Sequence, residues 1–345
     1  MSITPGAIRF NTDSMKLEYY RGGPVGFGTT TTTGEWVNLT TDSPDIQTGG
    51  ARGVFGGGSQ YGPGGATTNS IQYVTISTTG NAQDFGDLAV SGALYGIVGT
   101  SSRTRGCFAG GSDPQSNIIQ YITISSTGDS QDFGDCVNAA RNMGGVSNGT
   151  RGVFGGKFTP STVGTLDYIT IASQGDALNF GNLSETRNSP GGCSSSTRGI
   201  FAGGSPITNA VDFITISTLG NASDFGDLTI ARAGTNGACS NAIRGISAGG
   251  ATPSIQNVVD YITIATLGNA QDFGDLTTAR STISGVSSQT RGVFAGGYTP
   301  TPALVSLNVI DYVQIMSTGN AIDFGDLLNH YYLVAGLSNG HGGLG

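Results

Sequence analysis

Tyr261-Ile262-Thr263-Ile264-Ala265-Thr266-Leu267-Gly268-Asn269-Ala270-Gln271-Asp272-Phe273-Gly274-Asp275-Leu276 decides the fold, because close variants of it occur six times along the chain. Its first half is an aromatic residue in a β-branched run. The run recurs as Tyr73-Val74-Thr75-Ile76, Tyr121-Ile122-Thr123-Ile124, Tyr168-Ile169-Thr170-Ile171, Phe213-Ile214-Thr215-Ile216 and Tyr312-Val313-Gln314-Ile315. Its second half, Gly-(Asn/Asp)-(Ala/Ser)-x-(Asp/Asn)-Phe-Gly-(Asp/Asn), begins at Gly80, Gly128, Gly175, Gly220, Gly268 and Gly319. Upstream of each copy, an Arg-Gly string running into a Gly pair begins at Arg52, Arg105, Arg151, Arg198, Arg244 and Arg291, at spacings of 53, 46, 47, 46 and 47. Self-similarity at such a period marks a repeat architecture.

Each unit of about 47 residues reads as four short strands. In the last copy these are Ser284-Gly285-Val286-Ser287, Arg291-Gly292-Val293-Phe294-Ala295, Ile310-Asp311-Tyr312-Val313-Gln314-Ile315 and Asp323-Phe324-Gly325-Asp326-Leu327. The alternation has the strand period of two, and 59 glycines among 345 residues argue against helices, in which each Gly costs about 1 kcal/mol. Four strands per unit is the size of one propeller blade. The expected fold is therefore all-β: a β-propeller with four-stranded blades.

The chain ends suggest how the ring closes. Leu333-Val334-Ala335-Gly336-Leu337-Ser338-Asn339-Gly340-His341-Gly342-Gly343-Leu344-Gly345 reads like the first and second strands of another copy, and Lys16-Leu17-Glu18-Tyr19-Tyr20 and Glu35-Trp36-Val37-Asn38-Leu39 like third and fourth strands. Trp36 stands in the aromatic slot that Phe fills elsewhere. Pairing the two ends would remove exposed sheet edges. The expectation is one domain of seven blades over residues 1–345, with six repeats at 46–328 and a closing blade built from 1–45 and 329–345. Six blades with a separate N-terminal hairpin is the alternative.

The repeat resembles the kelch repeat: a hydrophobic strand, a Gly pair, a variable loop, a strand with an aromatic, then an aromatic-x-x-Leu strand with Phe where kelch units usually carry Trp. Arg141, Arg187, Arg232 and Arg280 match that family's blade-to-blade Arg. The N-terminal stretch Gly6-Ala7-Ile8-Arg9-Phe10-Asn11-Thr12-Asp13-Ser14 through Tyr20, with Glu35-Trp36 later, is similar to a β-hairpin module of bacteriophage tail-fibre proteins. The Gly-Asn-Ala-x-Asp-Phe-Gly-Asp-Leu string also looks like structural proteins of marine cyanophages. These resemblances imply a kelch-like propeller from the tail or fibre apparatus of a tailed phage, located in the virion after assembly in the host cytoplasm.

Composition narrows the function. A net charge of −8 and only two lysines, Lys16 and Lys157, disfavour nucleic-acid binding, which needs clustered cations. No apolar run is long enough for a membrane span, and no secretory signal opens the chain. Cys107, Cys136, Cys193 and Cys239 have no metal-ligand spacing and fall where other copies carry Val, Ile or Leu, so they read as buried hydrophobes. Asp-Phe-Gly occurs five times, with Asn179 replacing Asp in the sixth copy, which marks a structural turn in place of a magnesium site. The repeat acids Asp84, Asp132, Asp224, Asp272 and Asp323 are expected to pair with the repeat arginines in a ring, with calcium binding as the alternative.

His330 and His341 lack the neighbours that copper oxidase or serine hydrolase chemistry needs. No cofactor or metal is expected, and the chain reads as a non-enzyme. Sequence varies most between second and third strands, which makes Tyr61, Pro63, Lys157, Phe158, Tyr298, Pro300 and Pro302 the candidate contact residues. The expected partners are other virion proteins of the tail, fibre or baseplate, in a symmetric multicopy assembly, and a host-surface glycan or protein. A glycan-degrading tailspike-like enzyme and a capsid decoration protein are the alternatives.

Overall fold

The computed structural model describes residues 7–11, 16–21, 35–38, 51–61, 65–90, 92–234, 237–300 and 304–344. The chain divides into two compact units, residues 1–47 and 48–345. In the first unit, Ile8–Asn11, Lys16–Arg21 and Glu35–Asn38 form a three-stranded antiparallel sheet in sequence order. Trp36 therefore belongs to a sheet of its own, and Leu39, Pro63 and Pro302 lie outside the described residues.

The second unit is an all-β propeller of six four-stranded blades around an axis. Five blades are continuous in sequence, and blade 4 illustrates them. It runs Gly191–Ser194, Arg198–Ala202, Thr208–Thr215 and Ser223–Arg232 from the axis outward. The remaining sheet, blade 1, joins the two ends of the unit: Ala335–Ser338 is the inner strand, followed by Arg52–Gly56, Ser70–Thr75 and Gln83–Asp87. Blades 2 to 6 follow in chain order, with second strands beginning at Arg105, Arg151, Arg198, Arg244 and Arg291. Its register pairs Leu337 with Val54 and Ser338 with Gly53.

The expectation of seven blades is thus corrected to the six-blade alternative. The repeat at Arg52 is completed by a first strand from the far end of the sequence, so the C-terminal strand finishes an existing blade and starts no new one. The N-terminal strands find their hydrogen-bond partners in each other.

Blades pack through apolar seams. In each repeat the aromatic of the Asp-Phe-Gly string and the last Ile of the strand before it are buried, as are Phe55, Phe108, Phe154, Phe201 and Phe294 on the second strands. The hydrophobic clusters each span two neighbouring blades; one joins Phe55, Val74 and Ile76 of blade 1 to Val293, Ile310 and Phe324 of blade 6. Burying a large side chain contributes roughly 1.5–3 kcal/mol, repeated around the ring.

The outer strand carries a bulge in every blade. In blade 1, Asp84 pairs with Gln72 and Gly86 with Ile71, leaving Phe85 as the extra residue that turns into the core. Gly86 takes φ +146, a region costly for any residue with a Cβ, and a Cβ there would lie 2.5 Å from the Gly128 carbonyl of the next blade. That close approach lets backbone cross the seam: Gly128 N–H donates to Phe85 O (2.7 Å) and Ser130 N–H to Asp87 O (2.9 Å). The same pair of bonds closes the circle, from Gly80 to Phe324 and from Ala82 to Asp326 (both 2.8 Å). Each outer edge is covered by its neighbour's Gly-Asn turn, which is why that string repeats.

Candidate binding face

The repeat arginines act between blades, but their partners are carbonyl oxygens. Arg52 donates to Ile124 O of the next blade (3.0 Å), Arg105 to Ile171 O (2.9 Å), and Arg291 to Ile76 O and Ser77 O across the closure (3.2 and 2.9 Å). Each guanidinium also lies over the aromatic of its own third strand, from Arg105 at 4.4 Å from the Tyr121 ring to Arg198 at 4.9 Å from Phe213. Such contacts contribute about 0.5–1 kcal/mol each at exposed sites. The expected Arg–carboxylate ring is corrected: Asp84, Asp132, Asp224, Asp272 and Asp323 are exposed on the outer strands. Among the described residues no group of three or more metal-ligating side chains converges.

The buried ion pairs involve other residues, which the sequence reading assigned differently. Arg187 pairs with Asp212 (3.0 Å), Arg232 with Asp260 (2.9 Å) and Arg280 with Asp311 (2.8 Å), all with side chains at most 1% exposed. Burial pushes each guanidinium down from its usual range, and the facing aspartate opposes that shift. Ser184 and Thr277 hydroxyls add bonds of 2.6 Å to Asp212 and Asp311. Arg141 sits one position later than these three. It bridges to Phe158 along the backbone, lies 4.8 Å from that ring, and donates to Tyr95 Oη (3.0 Å).

Lys157 was expected on the contact loops. Instead it is 1% exposed and pairs with Asp167. It occupies the position that is the second glycine of the pair in the other five repeats (Gly58, Gly111, Gly204, Gly250, Gly297), where the chain dips beneath the face. Blades 1 and 2 carry no such cation, and there the Asp slot holds Gln72 and Gln120, both buried.

Antiparallel connectivity places the loops between second and third strands, and the links between blades, on one face. There the ring loses its regularity at the seam between blades 6 and 1. Tyr61 stacks on Tyr332 with centroids 4.0 Å apart and planes 14° from parallel, and Tyr298 meets them edge-on at 5.1 and 5.9 Å. All three are half-exposed, and Tyr61 N–H is fixed to Ser306 Oγ (3.0 Å). Burial and the neighbouring Tyr332 raise the Tyr61 phenol above its usual range, so it stays a neutral donor. Pro300 is exposed next to Tyr298, while Phe158 stands apart under Arg141. The position equivalent to Tyr332 holds Tyr95, Arg141, Asn188, Ala233 and Ser281 at the other seams. An aromatic recurs there only as Tyr95 at the adjacent seam, and the three-tyrosine cluster belongs to the seam between blades 6 and 1.

The axis is filled by the chain itself. Ser101, Ser147, Ser194, Ser240, Ser287 and Ser338 end the six inner strands. Five of their hydroxyls are donated to carbonyls across neighbouring blades; Ser240 Oγ to Ser194 O (2.7 Å) and Ser101 Oγ to Ser338 O (2.8 Å) are examples. At the sixth place His341 intervenes, with Nε2 3.3 Å from both Ser101 O and Ser147 Oγ. Gly343 N–H donates to Nδ1 (3.1 Å), which assigns the proton to Nε2. The half-buried imidazole borders an axial cavity of about 50 Å³. Desolvation lowers its pKa to about 4.

Other reactive groups are scattered. His330 is exposed and distant in role from His341. The four cysteines are free and buried, with burial raising Cys107, Cys136 and Cys193 to about 12, so they are inert thiols. No helix among the described residues is long and apolar enough to cross a membrane. No family model matches this chain, and no curated protein is significantly similar to it.

Proposed function

We propose that this chain is a non-enzymatic recognition and assembly module, a rigid propeller that binds a partner through the face bearing the loops between second and third strands. One observation carries the reading. On a ring whose arginines and serines are engaged in holding blades together, the half-exposed cluster Tyr61, Tyr298 and Tyr332 breaks the symmetry on a single seam. Tyrosines held by packing present contact area at little ordering cost.

The N-terminal and repeat motifs support a place for the module in the tail or fibre apparatus of a phage particle. Its partners there would be other virion proteins or the host surface. Localising the chain in a particle reconstruction tests that setting, and a binding assay on the neighbours so found tests the face. Tyr61→Ala with Tyr298→Ala should weaken capture at least tenfold while the fold is retained. Unchanged capture would refute the assigned face. Release of reducing sugar from host envelope by the purified chain would replace the reading with an enzymatic one.

A further inference from the structure

We infer that Lys157 and Asp167 form an intramolecular amide cross-link between the second and third strands of blade 3. The two side chains are in contact through Nζ and Oδ2, both about 1% exposed, and lie on adjacent strands whose register pairs Phe154 with Asp167 and Lys157 with Val163. Three departures from the other ion-paired blades coincide here. The buried Arg is replaced by Ala140, the hydroxyl residue equivalent to Ser184 and Thr277 is Val137, and a lysine stands in the glycine slot.

The consequences are chemical. Arg187, Arg232 and Arg280 carry guanidiniums that do not deprotonate in proteins and cannot act as amine nucleophiles. The carboxylates Asp212 and Asp311 each accept hydrogen bonds from a hydroxyl and a backbone N–H. Asp167 has none of these; its Oδ1 has no hydrogen-bond partner among the described residues, and burial raises its pKa. The protein spends one of its two lysines at this enclosed point.

The step balances without any other reagent. The proton passes from the ammonium to the carboxylate, giving an amine and a carboxylic acid. The Nζ lone pair attacks Cγ, a second proton moves from nitrogen to the departing hydroxyl, and one water leaves as the C–N amide bond forms. Oriented neighbours react as though at about 10⁵ M or more, and enclosure in the blade opposes re-entry of water. The product carries no charge, so the core loses an ion pair that nothing else solvates.

Intact mass spectrometry of the purified full chain decides the matter. The expected mass is that of the sequence less one water. Trypsin should leave the bond after Lys157 uncut, and fragmentation should place the loss on the peptide joining residues 157 and 167. Lys157→Arg keeps the cation but cannot form the amide, and should restore the full mass. A full-mass wild-type chain cut normally after Lys157, or a water loss mapped elsewhere, would overturn the inference. Because the wild-type chain alone supplies that answer, misfolding of the variant cannot obscure it.

Discussion

At the residue scale, the molecule's charges are matched blade by blade. A buried aspartate occurs in the third strand only where a buried cation faces it, and glutamine fills the slot where Leu94 or Tyr331 stands in the Arg position. Removing one member of such a pair strands the other, at about 3–5 kcal/mol. Arg280→Leu should therefore destabilise strongly in denaturant unfolding. Arg280→Leu with Asp311→Gln, which copies blade 2, should recover most of that loss; a double variant as unstable as the single would contradict the matching. The axial histidine gives a second test. Its folded pKa of about 4 lies below the free value of 6.5, so the unfolded chain binds more protons between these values. Stability should fall as pH drops from about 6.5 to 4, by at most about 3 kcal/mol, and level off below. His341→Gln should flatten that part of the profile, and an unaltered slope would assign it to other groups.

At the scale of the strand, the repeated Asp-Phe-Gly-Asp string is legible in sequence as an element, while its role is not. Periodicity identifies an outer strand after a Gly-Asn turn, and the burial of Phe follows. It does not reveal that the string's glycine is pressed against the next blade, or that the acid before its Phe faces solvent. Charge complementarity in sequence suggested Arg–Asp pairing because both types recur once per repeat. In the structure the guanidinium instead reaches across to carbonyls left open at the end of the neighbouring third strand. Two glycines separate the steric from the torsional effect. Gly134 and Gly128 have φ of +146 and +150, but a Cβ on Gly134 meets the Gly175 carbonyl at 2.5 Å and one on Gly128 meets nothing within 4 Å. Both alanine variants bear torsional strain of about 1–3 kcal/mol. Gly134→Ala should be the less stable in thermal unfolding, and equal losses would mean that the seam is looser than described.

At the scale of the whole molecule, sequence reading found the propeller and the involvement of the C-terminus in closure, and miscounted the blades. The reason is physical. Alternation at period two says that a segment is a strand without saying which sheet it joins, so Lys16–Arg21 and Glu35–Asn38 passed for blade strands while pairing with each other. After Ser338, the sequence Asn339-Gly340-His341 resembles the turn Asn148-Gly149-Thr150, yet the chain enters the axis as a short 3₁₀ turn, Gly342–Leu344, in place of a second strand. Of the candidate contact residues, Tyr61 and Tyr298, singled out through loop variability, lie together in the tyrosine cluster, whereas loop variability does not single out Tyr332, which stacks on Tyr61 from a link between blades. Lys157 was misplaced because its burial depends on an aspartate ten residues away.

Ring closure by the last strand is the claim on which the propeller rests, and amide hydrogen exchange tests it directly. In the full chain, Arg52–Gly56 should be protected as strongly as the equivalent Arg198–Ala202 of an uninterrupted blade. In a chain ending at Tyr332, Arg52–Gly56 should lose that protection by at least tenfold while Arg198–Ala202 exchanges more slowly than it does. Equal protection of Arg52–Gly56 with and without the final residues would contradict closure by Ala335–Ser338.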